Sequence, residues 1–270
     1  MRPGVEVAFT PRTPRVVAAR RLQRRRDRDA TGRFLAEGPQ AVREALAVPG
    51  CVLELFHTAE SRHPDLVAAA GDRASPVTDA ALAALAETVQ PQGLVAVCAQ
   101  LDVTLADGLA HRPRLVAVCA DIRDPGNAGT VLRTADAAGA GAVVFAGEAV
   151  DPYNGKAVRA SAGSLFHVDV VREPDPAATV AALRRSGLRV LAADARGADD
   201  LDDLADAGDL AAPTAWLFGS EAHGLPAALA ELADARVRVP IHGRAESLNL
   251  AAAAAICLYA SARAQRSTGR

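Results

Sequence analysis

The sequence has few of the residues that build disulfide frameworks, zinc sites or membrane spans. Its four cysteines lie far apart, with neither a CxxC pair nor a histidine at metal-ligand spacing. It contains no run of about 18 apolar residues, and the N-terminus lacks the apolar stretch of a signal peptide. We therefore expect a soluble, cytoplasmic protein with buried free thiols, no bound metal and no membrane partner.

The motifs of several common enzyme classes are missing as well. The chain contains no P-loop GxxxxGK[ST], no GxSxG elbow and no HExxH helix, and GxGxxG does not follow the apolar run that ends at Ala120. Hydrolases and dinucleotide-dependent enzymes are therefore poorly supported. A Rossmann-like oxidoreductase stays an alternative that a nicotinamide titration would test.

Aromatic residues and lysine are scarce, whereas arginine is concentrated near the N-terminus. Aromatics make up 3% of the chain and Lys156 is its single lysine, so base stacking on an aromatic platform is disfavoured. Residues 1–33 hold ten arginines against three acids, including Arg24, Arg25 and Arg26. This basic arm, in a chain of net charge −2, can neutralise RNA phosphates or form a solvated helix face, and its composition leaves both open.

The N-terminal third has the pattern of a small α/β domain. Its predicted elements are a strand at 33–38, a helix from Pro39 through Leu46, a strand at 52–56, a helix at 64–70 and a strand at 94–99. Residues 100–114 carry polar and helix-breaking residues and are predicted to form a linker. We therefore predict two domains, 1–103 and 113–270.

The C-terminal part alternates strands and helices. Leu115–Ala120 is a fully apolar run, typical of a strand buried on both faces. The predicted strands after it lie at 142–145, 167–171, 189–193, 215–218 and 236–239. The predicted helices lie at 128–138, 156–162, 177–186 and 248–264. This alternation predicts an α/β fold with a mainly parallel sheet and helices on both of its faces.

Polar residues follow the first predicted strand of this part. Gly126 and Gly129 permit a tight turn, and Asn127 is placed to cap the next helix through its side-chain oxygen. Arg133 lies six residues further on a helix that is otherwise apolar, so it needs a partner. An RNA phosphate would suit its guanidinium, and a salt bridge to Asp124 is the alternative.

Two later segments also place polar residues after strands. Gly219, Glu221 and Gly224 follow the strand at 215–218, although a plain strand-to-helix turn explains Gly-x-Glu-x-x-Gly equally well. After the strand that stops at Pro240, Ser247 is placed to cap the last helix and Asn249 follows in its first turn. Capping accounts for Ser247 but leaves Asn249 unexplained.

In order and spacing, these three segments resemble the motifs of the SpoU (TrmH-like) family of RNA 2'-O-ribose methyltransferases. The resemblance covers roughly residues 113–265, and the stretch 156–164, which contains Arg159, is similar to family members too. Residues 34–47 look like the ribosomal-protein-like substrate-binding domain that many members carry. The chain departs from the family pattern at Ile241, where Met is common, and at Ala251, where Ser is common.

The resemblance implies a trefoil-knotted α/β domain that binds S-adenosylmethionine in the knot and forms a homodimer. Carried over motif by motif, the catalytic residues are Asn127, Arg133, Glu221, Ser247 and Asn249. The residues carried over to the cofactor pocket are Gly219, Val239, Ile241 and Leu248. The predicted RNA contacts are Arg24, Arg25, Arg26 and Arg159.

The implied reaction is methyl transfer to a ribose 2'-hydroxyl of RNA, with ribosomal RNA favoured over tRNA as the substrate. A tRNA methyltransferase and a catalytically silent knotted RNA-binding protein are the alternatives. The family assigns the role of base to the residue at Arg133. Because a guanidinium group is essentially never deprotonated in proteins, we expect Arg133 instead to hold an RNA phosphate. Asn127, Ser247 and Asn249 would then orient the ribose, and Glu221 would order its loop or position Arg133.

Overall fold

The computed structural model describes residues 7–59 and 61–267, which form two compact units. The first unit contains the described residues up to Leu101 together with Tyr153–Phe166. The second contains Asp102–Pro152 and the described residues from His167 onward. The first six residues of the basic arm lie outside the described part of the chain.

The first unit is a four-stranded sheet with helices. Its strands are β1 (Arg33–Glu37), β2 (Val52–His57), β3 (Ala74–Pro76) and β4 (Leu94–Ala99), in the sheet order β1-β4-β2-β3. β4 is antiparallel to β1 and β2, and β3 runs parallel to β2. Its helices, numbered along the whole chain, are α1 (Pro14–Arg21), α2 (Arg25–Thr31), α3 (Pro39–Ala47), α4 (Pro64–Ala70), α5 (Asp79–Leu85) and α8 (Gly155–Ser161). The strands and helices predicted for the N-terminal third are confirmed.

Apolar side chains cover both faces of this sheet. On one face, Leu22 after α1 and Leu85 of α5 pack in a buried cluster with Val95 of β4. On the other face, the ring of Phe34 lies 4.7 Å from that of Tyr153 and 6.1 Å from that of Phe166, measured between centroids. Burial of these three rings joins residues 153–166 to the first unit, although the sequence placed them in the C-terminal domain.

The second unit is an eight-stranded sheet in which every neighbouring pair is parallel. Its strands are β5 (Asp102–Val103), β6 (Leu115–Ala120), β7 (Ala142–Ala146), β8 (Asp169–Glu173), β9 (Arg189–Ala193), β10 (Asp199–Asp200), β11 (Thr214–Phe218) and β12 (Ala235–Arg238). They lie in the order β10-β12-β9-β11-β6-β7-β8-β5. Its helices are α6 (Leu105–Ala110), α7 (Pro125–Ala138), α9 (Pro176–Arg185), α10 (Leu201–Asp206), α11 (Ala227–Ala230) and α12 (Leu250–Ser267).

Helices pack against both faces of this sheet. Leu217 of β11 lies in one buried cluster with Leu109 of α6 and Leu183 of α9. Because successive strand residues point to opposite faces, the neighbouring Trp216 faces the other side. There its indole nitrogen donates a hydrogen bond of 2.9 Å to the Ser261 hydroxyl of α12, and both side chains are fully buried. The predicted parallel sheet with helices on both faces is confirmed.

Two of the differences between predicted and observed boundaries concern residues 100–114 and the strand β8. The expected linker at residues 100–114 contains β5 and α6, and β5 takes its hydrogen-bond partners from β8. The strand expected at 167–171 is β8, which begins and ends two residues later. Both differences involve pairing between distant parts of the chain, which local sequence patterns do not encode.

The thiols of the second unit are buried and protonated. All four cysteines of the chain are free and buried. Burial raises the pKa of Cys257 to about 12, and burial together with the charge of Glu221 raises that of Cys119 well above its ordinary value. Within residues 7–59 and 61–267, no helix is long and apolar enough to cross a bilayer. Nor do the His, Cys, Asp and Glu side chains of this part form a group of three or more able to bind a metal ion.

Candidate functional site

The three polar segments follow strands whose carboxyl ends lie at one edge of the parallel sheet. Residues 121–124 follow β6, residues 219–226 follow β11 and residues 239–249 follow β12. β6 and β11 are neighbours, and β9 separates β11 from β12. Loops at this edge of an open parallel sheet are where ligands of such folds bind.

Asp121 and Asp124 shape the segment after β6. Asp121 adopts the left-handed conformation, with φ of 54°, and its Oδ1 accepts a hydrogen bond of 2.8 Å from the backbone N–H of Glu148 after β7. Asp124 caps α7, because its Oδ1 accepts from the backbone N–H of Asn127 at 2.8 Å. The prediction that Asn127 caps this helix is therefore wrong. The helix begins three residues earlier than expected, at Pro125, so Asn127 lies inside its first turn and its side chain is available for another contact.

That contact is with Glu221 of the second segment. The Glu221 carboxylate accepts hydrogen bonds from Asn127 Nδ2 at 2.9 Å, from the backbone N–H of Arg123 at 3.1 Å and from that of Asp124 at 3.2 Å. Partial burial acts to raise the pKa of Glu221, but the hydrogen bonds from Asn127 and from backbone N–H groups outweigh it and hold the pKa below its ordinary value. Glu221 is therefore an ionised anchor that joins the loop after β11 to the start of α7.

The loop around Glu221 is tightly closed. The backbones of Ser220 and Gly224 exchange two hydrogen bonds, of 3.0 and 2.8 Å. Gly224 adopts the left-handed conformation, with φ of 68°. A Cβ on Gly219 would lie 2.1 Å from the carbonyl carbon of Gly224 and 2.2 Å from the nitrogen of Leu225. This loop therefore requires glycine at position 219 for steric reasons.

Asn249 connects the third segment to the same cluster. Its Nδ2 donates to Asn127 Oδ1 at 3.2 Å, while its own Oδ1 accepts from the backbone N–H groups of Ala251 and Ala252 at 2.9 and 3.3 Å. Asn249 thus caps α12, and the prediction that Ser247 caps it is wrong. The helix begins at Leu250, two residues later than expected, so Ser247 is exposed and makes no side-chain hydrogen bond with the described residues. The structure joins Glu221, Asn127 and Asn249 in one chain of hydrogen bonds.

Arg133 lies outside this chain of hydrogen bonds. It follows Asn127 by six residues on α7, which is about 9 Å along the helix axis and roughly 120° around it. The Arg133 side chain is exposed, and no carboxylate of the described residues forms an ion pair with it. The alternative of a salt bridge to Asp124 is therefore wrong, and the Glu221 carboxylate binds Asn127 and backbone N–H groups rather than Arg133.

The residues predicted to bind the cofactor lie in the loops after β11 and β12. Val239 is half-buried, whereas Ile241 and Leu248 are 36% and 37% exposed in a loop that is otherwise mainly polar. Exposed apolar side chains in one loop and closely packed glycine backbone in the other fit a ligand that has an apolar ring and is held largely by backbone groups. The residues present therefore fit an adenosyl ligand.

A cavity of about 770 Å³ opens beside Glu221. Its volume lies within the usual range for small-molecule sites, about 300–1,000 Å³. It is lined by Asp121, Arg123, Asp124, Ser220, Glu221, Ala222, His223, Gly224 and Pro226. The sequence analysis did not single out Asp121, Arg123 and His223, because none of the three is a motif residue.

The predicted RNA contacts differ in their surroundings. Arg24, Arg25 and Arg26 are exposed at the start of α2, and Arg25 forms a surface ion pair of 3.5 Å with Asp29. Arg159, in contrast, lies between two carboxylates of its own unit, 3.4 Å from Glu37 and 3.1 Å from Glu87. Contact of Arg159 with an RNA phosphate would require these ion pairs to break.

Comparison with known proteins gives matches over both units. The model of the SpoU rRNA methylase family matches residues 114–259, and that of the MRM3-like substrate-binding domain matches residues 13–96. The 23S rRNA (guanosine(2553)-2'-O)-methyltransferase RlmP of Bacillus subtilis is 37% identical over 89% of this chain and 92% of its own. An AdoMet-bound rRNA methyltransferase from Sinorhizobium meliloti has a TM-score of 0.84 at 32% identity, covering 95% of this chain and 97% of its own. The SpoU methyltransferase AviRb from Streptomyces viridochromogenes, in complex with AdoMet, has a TM-score of 0.82 at 31% identity, covering 95% and 100%.

Proposed function

Because the chain belongs to the SpoU rRNA methylase family, we propose that it uses S-adenosylmethionine to methylate a ribose 2'-hydroxyl of ribosomal RNA. The observation that carries this proposal is the hydrogen-bonded chain Glu221–Asn127–Asn249, which joins the three motif segments at one edge of the sheet. Ribosomal RNA is preferred because RlmP and the Sinorhizobium meliloti enzyme are named for it. With such a substrate, we expect the protein to be cytoplasmic.

The cofactor, when bound, supplies a methyl group that is already activated on a sulfonium sulfur. Gly219, Val239, Ile241 and Leu248 are the residues that would hold it. Because Gly219 has no side chain, its backbone would be able to approach the ligand closely, and the exposed side chains of Ile241 and Leu248 would become buried against an apolar ring. The rest of the catalytic work is to place the ribose hydroxyl in line and to remove its proton.

Asn127 and Asn249 would orient the ribose, and Ser247 would join them from the same loop. Arg133 would hold the phosphate next to the target ribose, where its planar guanidinium can bind two oxygens and stabilise the charge that develops on the 2'-oxygen. Support for this role comes from its exposure and from the lack of an ion-pair partner among the described residues. Glu221 would be a positioning residue, because its carboxylate holds the Asn127 side chain in place.

The first unit would recognise the folded RNA. Arg24, Arg25 and Arg26 present their charge to solvent at the start of α2, as phosphate contacts require. Affinity for RNA should therefore fall steeply as the salt concentration rises. Arg159 is a weaker candidate, because its charge is already paired with Glu37 and Glu87.

We also propose that the chain is a trefoil-knotted homodimer. An apolar stripe on α12 supports dimerisation, because Ile256 is 41% and Tyr259 67% exposed on a helix whose other side is buried. Together with Ala252, these residues recur at helical spacing along one face. Burial of this stripe against a second copy would remove apolar surface from water.

A transfer assay with methyl-labelled S-adenosylmethionine tests the function. The substrates are total ribosomal RNA and total tRNA from a strain that lacks the gene, and an Arg133→Ala protein is the control that should transfer little label. We expect label in ribosomal RNA, at one site that becomes resistant to alkaline cleavage. Label in tRNA alone would favour a tRNA methyltransferase. No label in either pool, despite cofactor binding, would favour a silent RNA-binding protein.

A further inference from the structure

Methylation of a hydroxyl group releases a proton, and the motif residues offer no group suited to accept it. The guanidinium of Arg133 stays protonated at any physiological pH, and the side chains of Asn127, Ser247 and Asn249 are not bases. We propose that the imidazole of His223, on the rim of the cavity beside Glu221, is the proton acceptor for the ribose 2'-hydroxyl. This inference rests on the proposed methyl transfer.

The loop after β11 holds His223 close to the hydrogen-bonded chain. His223 lines the cavity of about 770 Å³, and its backbone N–H lies 3.3 Å from the Ser220 hydroxyl oxygen that accepts from it. It follows Glu221 by two residues, so the two Cα atoms lie within about 7 Å. Glu221 in turn holds the Asn127 amide at 2.9 Å. His223 therefore lies on the same closed loop as Glu221, whose carboxylate binds the residue that would orient the ribose.

The other titratable groups of the cavity are committed to structural contacts. Asp121 accepts from the N–H of Glu148, Asp124 accepts from the N–H of Asn127, and Glu221 accepts from three donors. Hydrogen bonds to an ionised carboxylate make it a weaker base. Arg123, the remaining charged group, is a permanent cation.

His223 has no such commitment. Its ring nitrogens form no hydrogen bond with any residue of the described ranges, and the residue is exposed to solvent. Imidazole is also the side chain that changes charge between about pH 5 and pH 8, which suits a proton acceptor at neutral pH. His223 therefore combines access, position and basicity.

The step balances without a further reactant. The O2'–methyl bond forms as the methyl–sulfur bond breaks, and the electron pair of the broken bond stays on sulfur, which becomes a neutral thioether. The 2'-hydroxyl proton passes to a neutral ring nitrogen of His223 and then leaves to water. Asp121, Asp124 and Glu221 face the cavity and would stabilise the imidazolium that forms, whereas Arg123 opposes it.

The test compares single-turnover rates of the wild type and His223→Gln on ribosomal RNA between pH 5.5 and 8.5 (a range of about three units around the imidazole transition). The wild-type rate should fall toward the acid end of this range, because a protonated imidazole cannot accept a proton. His223→Gln should be slower by about 100-fold or more at pH 7.5 and should lose this acid limb. Added imidazole should restore part of the rate of His223→Ala. His111→Gln, at an exposed site after α6, is the matched control and should behave as the wild type.

A second readout does not depend on turnover. The exposed His223 should react readily with diethylpyrocarbonate, and ribosomal RNA with S-adenosylhomocysteine should protect it, whereas His111 should stay reactive. A His223→Gln enzyme with wild-type rate and acid limb, or loss of that limb in His242→Gln instead, would overturn the inference. Absence of methyl transfer by the wild type would instead count against the proposed function.

Discussion

Glu221 is the residue on which the geometry of the site depends most. Its carboxylate gathers three N–H donors from the start of α7, including the Asn127 side chain. An amide at this position would keep one acceptor oxygen but point an N–H group at donors. Because the hydrogen bonds favour the ionised carboxylate, the stability of the protein should depend on the protonation of Glu221.

We predict that Glu221→Gln lowers the free energy of unfolding by about 1 kcal/mol at pH 7, less than for a buried charged hydrogen bond because the side chain is exposed. The folded-state pKa of Glu221 lies below its ordinary value of 4.5, so its stabilisation is fully present above about pH 4.5. It is lost as the pH falls through the folded-state pKa. Urea unfolding at a series of pH values should show wild type and variant converging in acid. If the difference in unfolding free energy between wild type and variant stayed constant down to pH 3, about one and a half units below the ordinary pKa of glutamate, this prediction would be contradicted.

Substitution of Arg133 tests whether its proposed contact with an RNA phosphate depends on the shape of the guanidinium or only on its charge. We predict that Arg133→Lys lowers turnover at least about tenfold while cofactor affinity and melting temperature stay unchanged, because an ammonium cannot reproduce a bidentate guanidinium contact. Steady-state kinetics and calorimetric titration check this. Arg185→Lys, at an exposed arginine of α9 without an ion-pair partner in the described part of the chain, is the matched control. A fully active Arg133→Lys enzyme would mean that a point charge suffices.

At this scale the sequence singled out residues that the structure brings together, but it did not predict what each of them touches. Asn127, Glu221 and Asn249 were all singled out, and the structure brings them into contact. Their hydrogen-bond partners were not predicted, because the residue that caps a helix depends on the residue at which the helix begins. A start shifted by two or three residues turned Asn127 from a cap into a donor and made Asn249 the cap in place of Ser247.

Among the secondary-structure elements, the loop 219–226 has the least tolerance for change. Its two hydrogen bonds between Ser220 and Gly224 bring the backbone of Gly219 against that of Gly224 and Leu225. The neighbouring atoms are backbone, so they cannot move aside as the end of a flexible side chain could.

We predict that Gly219→Ala lowers the free energy of unfolding by about 1–3 kcal/mol and weakens binding of S-adenosylmethionine, because the methyl group must push the loop open. Urea unfolding and calorimetric titration measure the two effects. Gly243→Ala is the control for stability, since nothing lies within 4 Å of the Cβ position there. Equal stability of the two variants would show that the loop opens at no cost.

The longer elements were predictable and the shorter ones were not. Strands such as β6 and helices such as α7 carry their own periodic apolar pattern, which is visible in the sequence. β5 has two residues and exists through its pairing with β8, whose paired residues lie 68 positions later (Asp102 with Val170), and α6 follows it inside the expected linker. Tertiary pairing supplies what so short a segment cannot encode.

For the whole molecule, the apolar stripe on α12 sets the expected assembly. We predict that Tyr259→Glu converts a dimer into a monomer, because a carboxylate on the stripe would have to be buried without a partner. Light scattering coupled to size exclusion gives the masses, and Tyr259→Phe should stay dimeric. A monomeric wild type at micromolar concentration would contradict the homodimer and leave the exposed Ile256 and Tyr259 to another partner.

The rings of Tyr153 and Phe166 pack on Phe34, so the first unit draws on two stretches of chain that lie some 50 residues apart. A gene exchange that cut near residue 101 would bring in a new N-terminal third without residues 153–166, which cover its sheet. Recombination between relatives could therefore exchange this N-terminal domain only if residues 153–166 were exchanged with it or already matched it. The two parts are expected to have been inherited together, with paired substitutions at Phe34 and at the rings that cover it.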